Sequence, residues 1–255
     1  MMEKPSSKIT SRVVGHSYSG MPISLITLGH GPKNIFCWSQ MHGDEPTATA
    51  ALLDIIHFLL DDEHSKTATT LFQNVSLHFL PMLNPDGANL ICRENQQGID
   101  INRDADALQS PEGKILHTLL NELKPEFAFN LHDQYRYFAV EYTGANVAMA
   151  FMAPPSNIDE EVTPSRLKAM QLIGKMVDDF APQTNGRVTR YLDPYSAKAF
   201  GDYASSINIP TVLIESGELI SDPNRQLARS FTFAFLMRSF FDIANWQSLE
   251  MSGFE

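Results

Sequence analysis

The sequence predicts an α/β protein, a three-layer α/β/α sandwich around a mixed, largely parallel sheet. Two observations carry this. Short apolar runs bounded by Gly, Pro, Asn and Asp alternate with stretches of helical periodicity from end to end. Histidine, glutamate, asparagine and aspartate gather where those runs stop, the edge at which open α/β sheets bind ligands. With 255 residues, 43% hydrophobic and 19% charged, the chain can bury a large core and reads as globular. No repeat or low-complexity tract divides it, so residues 1–255 are expected to form a single domain.

RVVGHSYSGMPISLITLG (12–29) reads as a hairpin about SYSGMP, and NIFCWSQM (34–41) as a strand bounded by GPK and HGDEP. Pro46 suits the first turn of a helix. Ala50, Leu53, Ile56 and Leu60 then recur at helical spacing, which predicts an amphipathic helix to about Leu60. VSLHFLPML (75–83) is a second buried strand, followed by a Pro-Asp-Gly turn in NPDG (84–87). SPEGKILHTLLNEL (110–123) is a helix with a serine cap and a proline in its first turn. FAFNLHD (127–133) is a short strand, SRLKAMQLIGKMVDDF (165–180) a helix, TVLIESG (211–217) a strand and RQLARSFTFAFLMRSFFDIANW (225–246) a long final helix. The proline-rich FMAPPSNIDEEVTPSR (151–166) reads as a loop-like excursion at the rim of a site.

The net charge of −11 argues against a non-specific nucleic-acid binder, which needs basic surface. Two cysteines are too few for a disulfide scaffold: Cys37 reads as a small buried hydrophobe, and Cys92 has no cysteine partner for a metal. MMEKPSSKIT has no apolar segment behind its charges, and no apolar stretch approaches eighteen residues. The expectation is a cytoplasmic protein without a membrane partner.

Four strand ends carry the polar residues: His42 and Glu45, Asn84 and Asp86, His132, and Glu215. Two histidines and one glutamate are a known catalytic zinc set, which His42, Glu45 and His132 would fill. His16, His30, His57, His64, His78 and His117 lie in strands, helices or loops without such partners. Glu215 ends an apolar run before Ser-Gly, where an ionised carboxylate needs a reason.

These elements form an ordered series: His42-Gly-Asp-Glu45, Asn84-Pro-Asp-Gly87, Arg93, Asp100-Ile-Asn102-Arg103, His132 and Glu215. In that order, and with its opening hairpin, the chain resembles the zinc carboxypeptidases, the funnelin-type metallopeptidases, from about residue 12 to 217. The resemblance implies one zinc ion on His42, Glu45 and His132, with Asp100 orienting His42. It implies that Asn102 and Arg103 hold a substrate carboxylate and that Arg93 stabilises the oxyanion. Glu215 would take a proton from zinc-bound water and pass it to the leaving amine. The family's mobile tyrosine is matched best by Tyr195, with Tyr191 and Tyr203 close by. The interval before His132 is short, which makes the chain similar to the compact bacterial murein-peptide amidases. Tyr135 and Arg136, just after His132, could line the pocket.

The implied activity is hydrolysis of an amide bond near a free carboxylate, in a short peptide. An alternative is an N-acyl amino acid deacylase of the succinylglutamate desuccinylase and aspartoacylase type, acting on an acylated amino acid. Asn-Pro-Asp-Gly with the downstream arginine tilts against it, as does the lack of room for the small β domain those deacylases append. A metal-free binding module predicts a lost ligand or base, and none is lost. Gly-x-Ser-x-Gly, which a serine-nucleophile elbow requires, is absent.

Overall fold

The computed structural model describes residues 9–134, 139–140, 144–180 and 182–246. The opening hairpin is β1 (Ile9–His16) paired antiparallel with β2 (Pro22–Gly29). Then come β3 (Lys33–Ser39), α1 (Thr47–Leu60), α2 (Ser65–Phe72), β4 (Val75–Leu80), α3 (Pro85–Leu90) and α4 (Pro111–Leu123). β5 (Phe127–Asp133), β6 (Met149–Met152), α5 (Pro164–Phe180), β7 (Val188–Arg190), α6 (Phe200–Ser206), β8 (Thr211–Ser216) and α7 (Gln226–Ala244) complete it. The eight strands form one sheet in the order β1-β2-β4-β3-β5-β8-β6-β7.

The sheet is mixed with a parallel heart. β4, β3, β5 and β8 run parallel, β1, β2 and β6 join antiparallel, and β7 runs parallel to β6. The parallel strands therefore end on one edge, and β3, β5 and β8 deliver their polar residues there together. Strand alternation sorts the apolar side chains into two layers. Ile35, Cys37, Leu77, Phe79, Phe129 and Ile214 face α1, α2, α5 and α7. Phe36, Trp38, Leu80 and Ala128 face α4 and α6 on the other side.

α4 starts as its sequence predicts: Ser110 Oγ accepts from Gly113 N at 2.9 Å. α1 has the predicted extent but a different buried face. Ala48, Ala51, Leu52, Ile55 and Leu59 are buried, whereas Leu53 is 52% exposed. The expected Pro-Asp-Gly turn is instead the first turn of α3. Asn84 Oδ1 accepts from Gly87 N at 2.8 Å, and Pro85 occupies the first helical position. α2, β7 and α6 had no counterpart in the periodicity, and β6 takes in the start of the segment read as loop-like.

Candidate active site

The first ligand-type pair sits on a loop held from below. Gln40 has φ 50°, and its Nε2 donates to Gly43 O at 2.9 Å, which tightens the chain before His42. Gly43 packs directly on the start of α3: a Cβ there would fall 1.9 Å from the carbonyl carbon of Gly87. This contact requires glycine and docks the His-Gly-Asp-Glu loop onto the Asn-Pro-Asp-Gly element. Asn84 Nδ2 adds a hydrogen bond to Met41 O at 3.1 Å.

Glu45 stands between two imidazoles. His42 Nδ1 lies 2.7 Å from its Oε1, and His132 Nδ1 lies 2.8 Å from its Oε2. His42 Nε2 donates to Asp100 Oδ1 at 3.1 Å, which leaves Nδ1 facing the cluster with its lone pair. Each such approach needs either a proton on the ring nitrogen or a metal ion between the two atoms. One ligand atom from each of His42, Glu45 and His132 lies within 4.8 Å of the others, and all three side chains are buried. Two imidazole nitrogens, one carboxylate and a carboxylate behind one of the rings form a donor set that fits zinc.

The electrostatics agree with that fit. Burial pushes His132 down, favouring the neutral imidazole that ligates metal. Burial acts against the charge on Glu45 as well, but His132 and His42 outweigh it and hold the carboxyl below its usual range. Burial also opposes charge on His42, yet hydrogen bonds to Asp100 and Glu45 raise it. Asp100 is lowered, its burial outweighed by His42 and Arg93.

Arg93 crosses this edge, its Nε donating to Asp100 Oδ2 at 2.9 Å and its Nη1 lying 3.2 Å from His42 Nδ1. His132 and Glu215 are register partners on β5 and β8, so both side chains leave the sheet at one level. Glu215 is 8% exposed. Burial raises its carboxyl well above the ordinary range, with Glu45 and Asp133 acting in the same direction and Arg93 opposing. Asp100 Oδ1 accepts from Asn102 N, Asn102 Oδ1 accepts from Phe200 N at 3.0 Å, and Arg103 Nη1 donates to Asn102 O.

His42, Glu45, Arg93, Asn102, Arg103, His132 and Glu215 all line one cleft of about 180 Å³. Among the described residues, Asp133, Gln134, Tyr191, Asp193 and Leu213 also line it. Of the three candidate tyrosines, Tyr191 lines the cleft and Tyr195 does not. Burial raises the Tyr191 hydroxyl, reinforced by Glu215. Tyr203 is turned away, its hydroxyl 2.7 Å from His117 Nε2. Tyr135 and Arg136 lie outside the described residues. Of the residues missed, Asp133 and Leu213 had a signal, since Asp133 adjoins His132 and Leu213 shares a strand face with Glu215. Asp193 had none, because its place is set by the path of a loop.

Comparison with known proteins follows the same lines. A family model described as zinc carboxypeptidase matches residues 1–132. Carboxypeptidase SOL1 of Arabidopsis thaliana is 30% identical over 136 residues, covering 47% of this chain and 28% of that protein. Carboxypeptidase E of Caenorhabditis elegans is 29% identical over 129 residues, covering 42% and 27%. The chain thus spans less than a third of the length of these relatives. Among solved structures, a metallo-carboxypeptidase from Burkholderia cenocepacia superposes with a TM-score of 0.75 at 18% identity, covering 95% of this chain and 66% of the other. Carboxypeptidase A from Helicoverpa armigera gives a TM-score of 0.74 at 17% identity, covering 95% and 70%. At such identities these superpositions establish a shared fold.

Proposed function

The chain belongs to the zinc carboxypeptidase family, and from that premise we propose that it is a zinc-dependent metallopeptidase of carboxypeptidase type. It hydrolyses an amide bond next to a free carboxylate in a short peptide. The observation that carries this reading is the gathering of His42, Glu45 and His132 with Arg93, Asn102, Arg103 and Glu215 around one cleft.

One zinc ion held by His42, Glu45 and His132 would supply Lewis acidity toward the scissile carbonyl and the attacking water. Arg103 and Asn102 hold the substrate's terminal carboxylate, the guanidinium by paired hydrogen bonds. Glu215, held in a buried carboxyl site, takes a proton from the attacking water. It returns that proton to the amine nitrogen as the C–N bond breaks. Arg93, fixed by Asp100, stabilises the negative charge that develops on the carbonyl oxygen. Tyr191 stands at the wall of the cleft and covers the bound peptide. The deacylase alternative is not favoured by the family assignment. Among the described residues no helix is long and apolar enough to cross a membrane. A cytoplasmic location is part of the proposal.

Glu215→Gln tests the assignment. Because Glu215 is not a ligand in this scheme, the variant is expected to bind zinc like the wild type while kcat falls by about 10²–10⁴-fold. Loss of zinc from the variant, or retained hydrolysis, would remove the role of general base.

A further inference from the structure

Arg225 stands immediately before α7 with φ 54°, in the left-handed region that favours glycine. Its side chain does not cap the helix. Asp222 does that, accepting from the backbone N–H groups of Gln226, Leu227 and Ala228 at 2.7–3.0 Å. The Arg225 guanidinium turns inward. Nε donates to Thr47 Oγ1 at 2.6 Å, and Nη2 donates to Ser216 O at 2.8 Å and lies 3.3 Å from Asp133 Oδ1.

Each partner is one step from the site. Thr47 opens α1 two residues after Glu45, Asp133 follows His132, and Ser216 follows Glu215. Thr47 and Asp133 are also tied together, since Asp133 Oδ2 accepts from Thr47 Oγ1 at 2.7 Å and from Thr47 N at 3.2 Å. Asp133 N then donates to Glu45 Oε2 at 3.2 Å. Arg225 itself does not line the cleft. We propose that Arg225 is a positioning residue, a clamp that locks the ends of β5 and β8 and the start of α1 so that Glu45, His132 and Glu215 keep one geometry. It hydrogen-bonds the Thr47 hydroxyl and the Ser216 carbonyl and pairs with the Asp133 carboxylate, so removing it loosens two side chains and one backbone carbonyl, on three elements, at once. The proposal rests on the zinc-peptidase reading of the same site.

Arg225→Gly is the informative variant, because glycine accepts the left-handed backbone and the helix keeps its Asp222 cap. Arg229→Ala is the control. It removes another bond between α1 and α7, the Arg229–Asp54 ion pair, which does not lead to the cleft. The expected result for Arg225→Gly is a 10–100-fold weaker zinc affinity in chelator competition, with kcat lowered and KM within about threefold. Arg229→Ala should leave both near wild type. Thr47→Val, which deletes the central hydroxyl at nearly constant shape, should move both readouts the same way by less. The clamp is overturned if Arg225→Gly and Thr47→Val keep zinc affinity and kcat within threefold of wild type, or if Arg229→Ala matches their losses. Should Arg225→Gly not fold, Arg225→Lys, which keeps the charge but loses the planar fork, decides by the same criterion. A wild-type protein that binds zinc but cleaves no peptide would sink the peptidase reading alone, and the affinity comparison would still judge the clamp.

Discussion

Asp202, in α6, is 5% exposed, and its carboxylate accepts from Ser196 N at 3.1 Å. Burial lifts it to about 6; Asp193 adds to the rise, while the Ser196 N–H and Arg103 oppose it. The folded value lies above the 3.8 of an ordinary aspartate carboxyl, so the folded state holds the proton more tightly than the unfolded chain. The cost of ionising Asp202 is therefore absent below about pH 4, grows as pH rises and is complete above about 6. Two pKa units correspond to roughly 3 kcal/mol as an upper limit. Asp202→Asn keeps an oxygen for Ser196 N and removes the charge. Denaturant unfolding should find it more stable than wild type by on the order of 2 kcal/mol at pH 7.5 and equal at pH 4. An equal gap at both values would refute the charge argument. The residues that line the cleft divide by how they are placed. His132 and Glu215 were legible because a strand end in a parallel sheet fixes where its side chain goes. Tyr191 was not separable from Tyr195 and Tyr203, because the loop that carries it is positioned by packing that its own residues do not encode.

The helix α1 teaches a related lesson about elements. Its sequence TATAALLDIIHFLL is apolar over so much of its circumference that two stripes fit the helical period, and the periodicity picked Ala50, Leu53, Ile56 and Leu60. The sheet side is filled instead by Ala48, Leu52, Ile55 and Leu59, which join the core with α2 and α7. Leu52→Ala should cost about 2–5 kcal/mol, because a fully buried leucine leaves a cavity. Leu53→Ala should cost less than about 0.5 kcal/mol, since most of that side chain stays in water. Chemical denaturation of the two variants compares the faces directly, and a reversed order would mean that α1 is rotated. Asn-Pro-Asp-Gly departs from its expected turn for another physical reason. A side-chain cap followed by proline is the start of a β-turn and equally the start of a helix, and only the chain beyond decides. α2, β7 and α6 are short enough that no periodic signal accumulates over their length.

At the scale of the whole molecule, the family model ends at residue 132, yet Glu215 arrives on β8, after that boundary. We propose that residues 1–255 nonetheless act as one domain. β5 pairs with β3 on one side and β8 on the other, so a boundary after residue 132 would fall between hydrogen-bonded strands. The core beneath them mixes Leu52, Leu77 and Phe129 with Leu172, Val212 and Phe240. The two tryptophans report on opposite sides of the sheet. Trp38 is fully buried in the layer with α4 and α6, and Trp246 packs edge-on against Phe127 at 5.4 Å in the other. If one domain is correct, Trp38→Phe and Trp246→Phe proteins, each keeping one probe, should unfold with coincident fluorescence and circular dichroism transitions. The zinc proposal adds a second expectation for the same experiment. At zinc near 100 times its dissociation constant, binding stabilises the folded state by about 2.7 kcal/mol. For a chain of this size that raises Tm by roughly 5–10 °C. Because the ligands come from the β3–α1 loop and β5, and the proposed base from β8, a metal-linked shift should move both tryptophan transitions together. A shift confined to one tryptophan, or two separate transitions, would divide the chain into independent units and undo the single-domain reading.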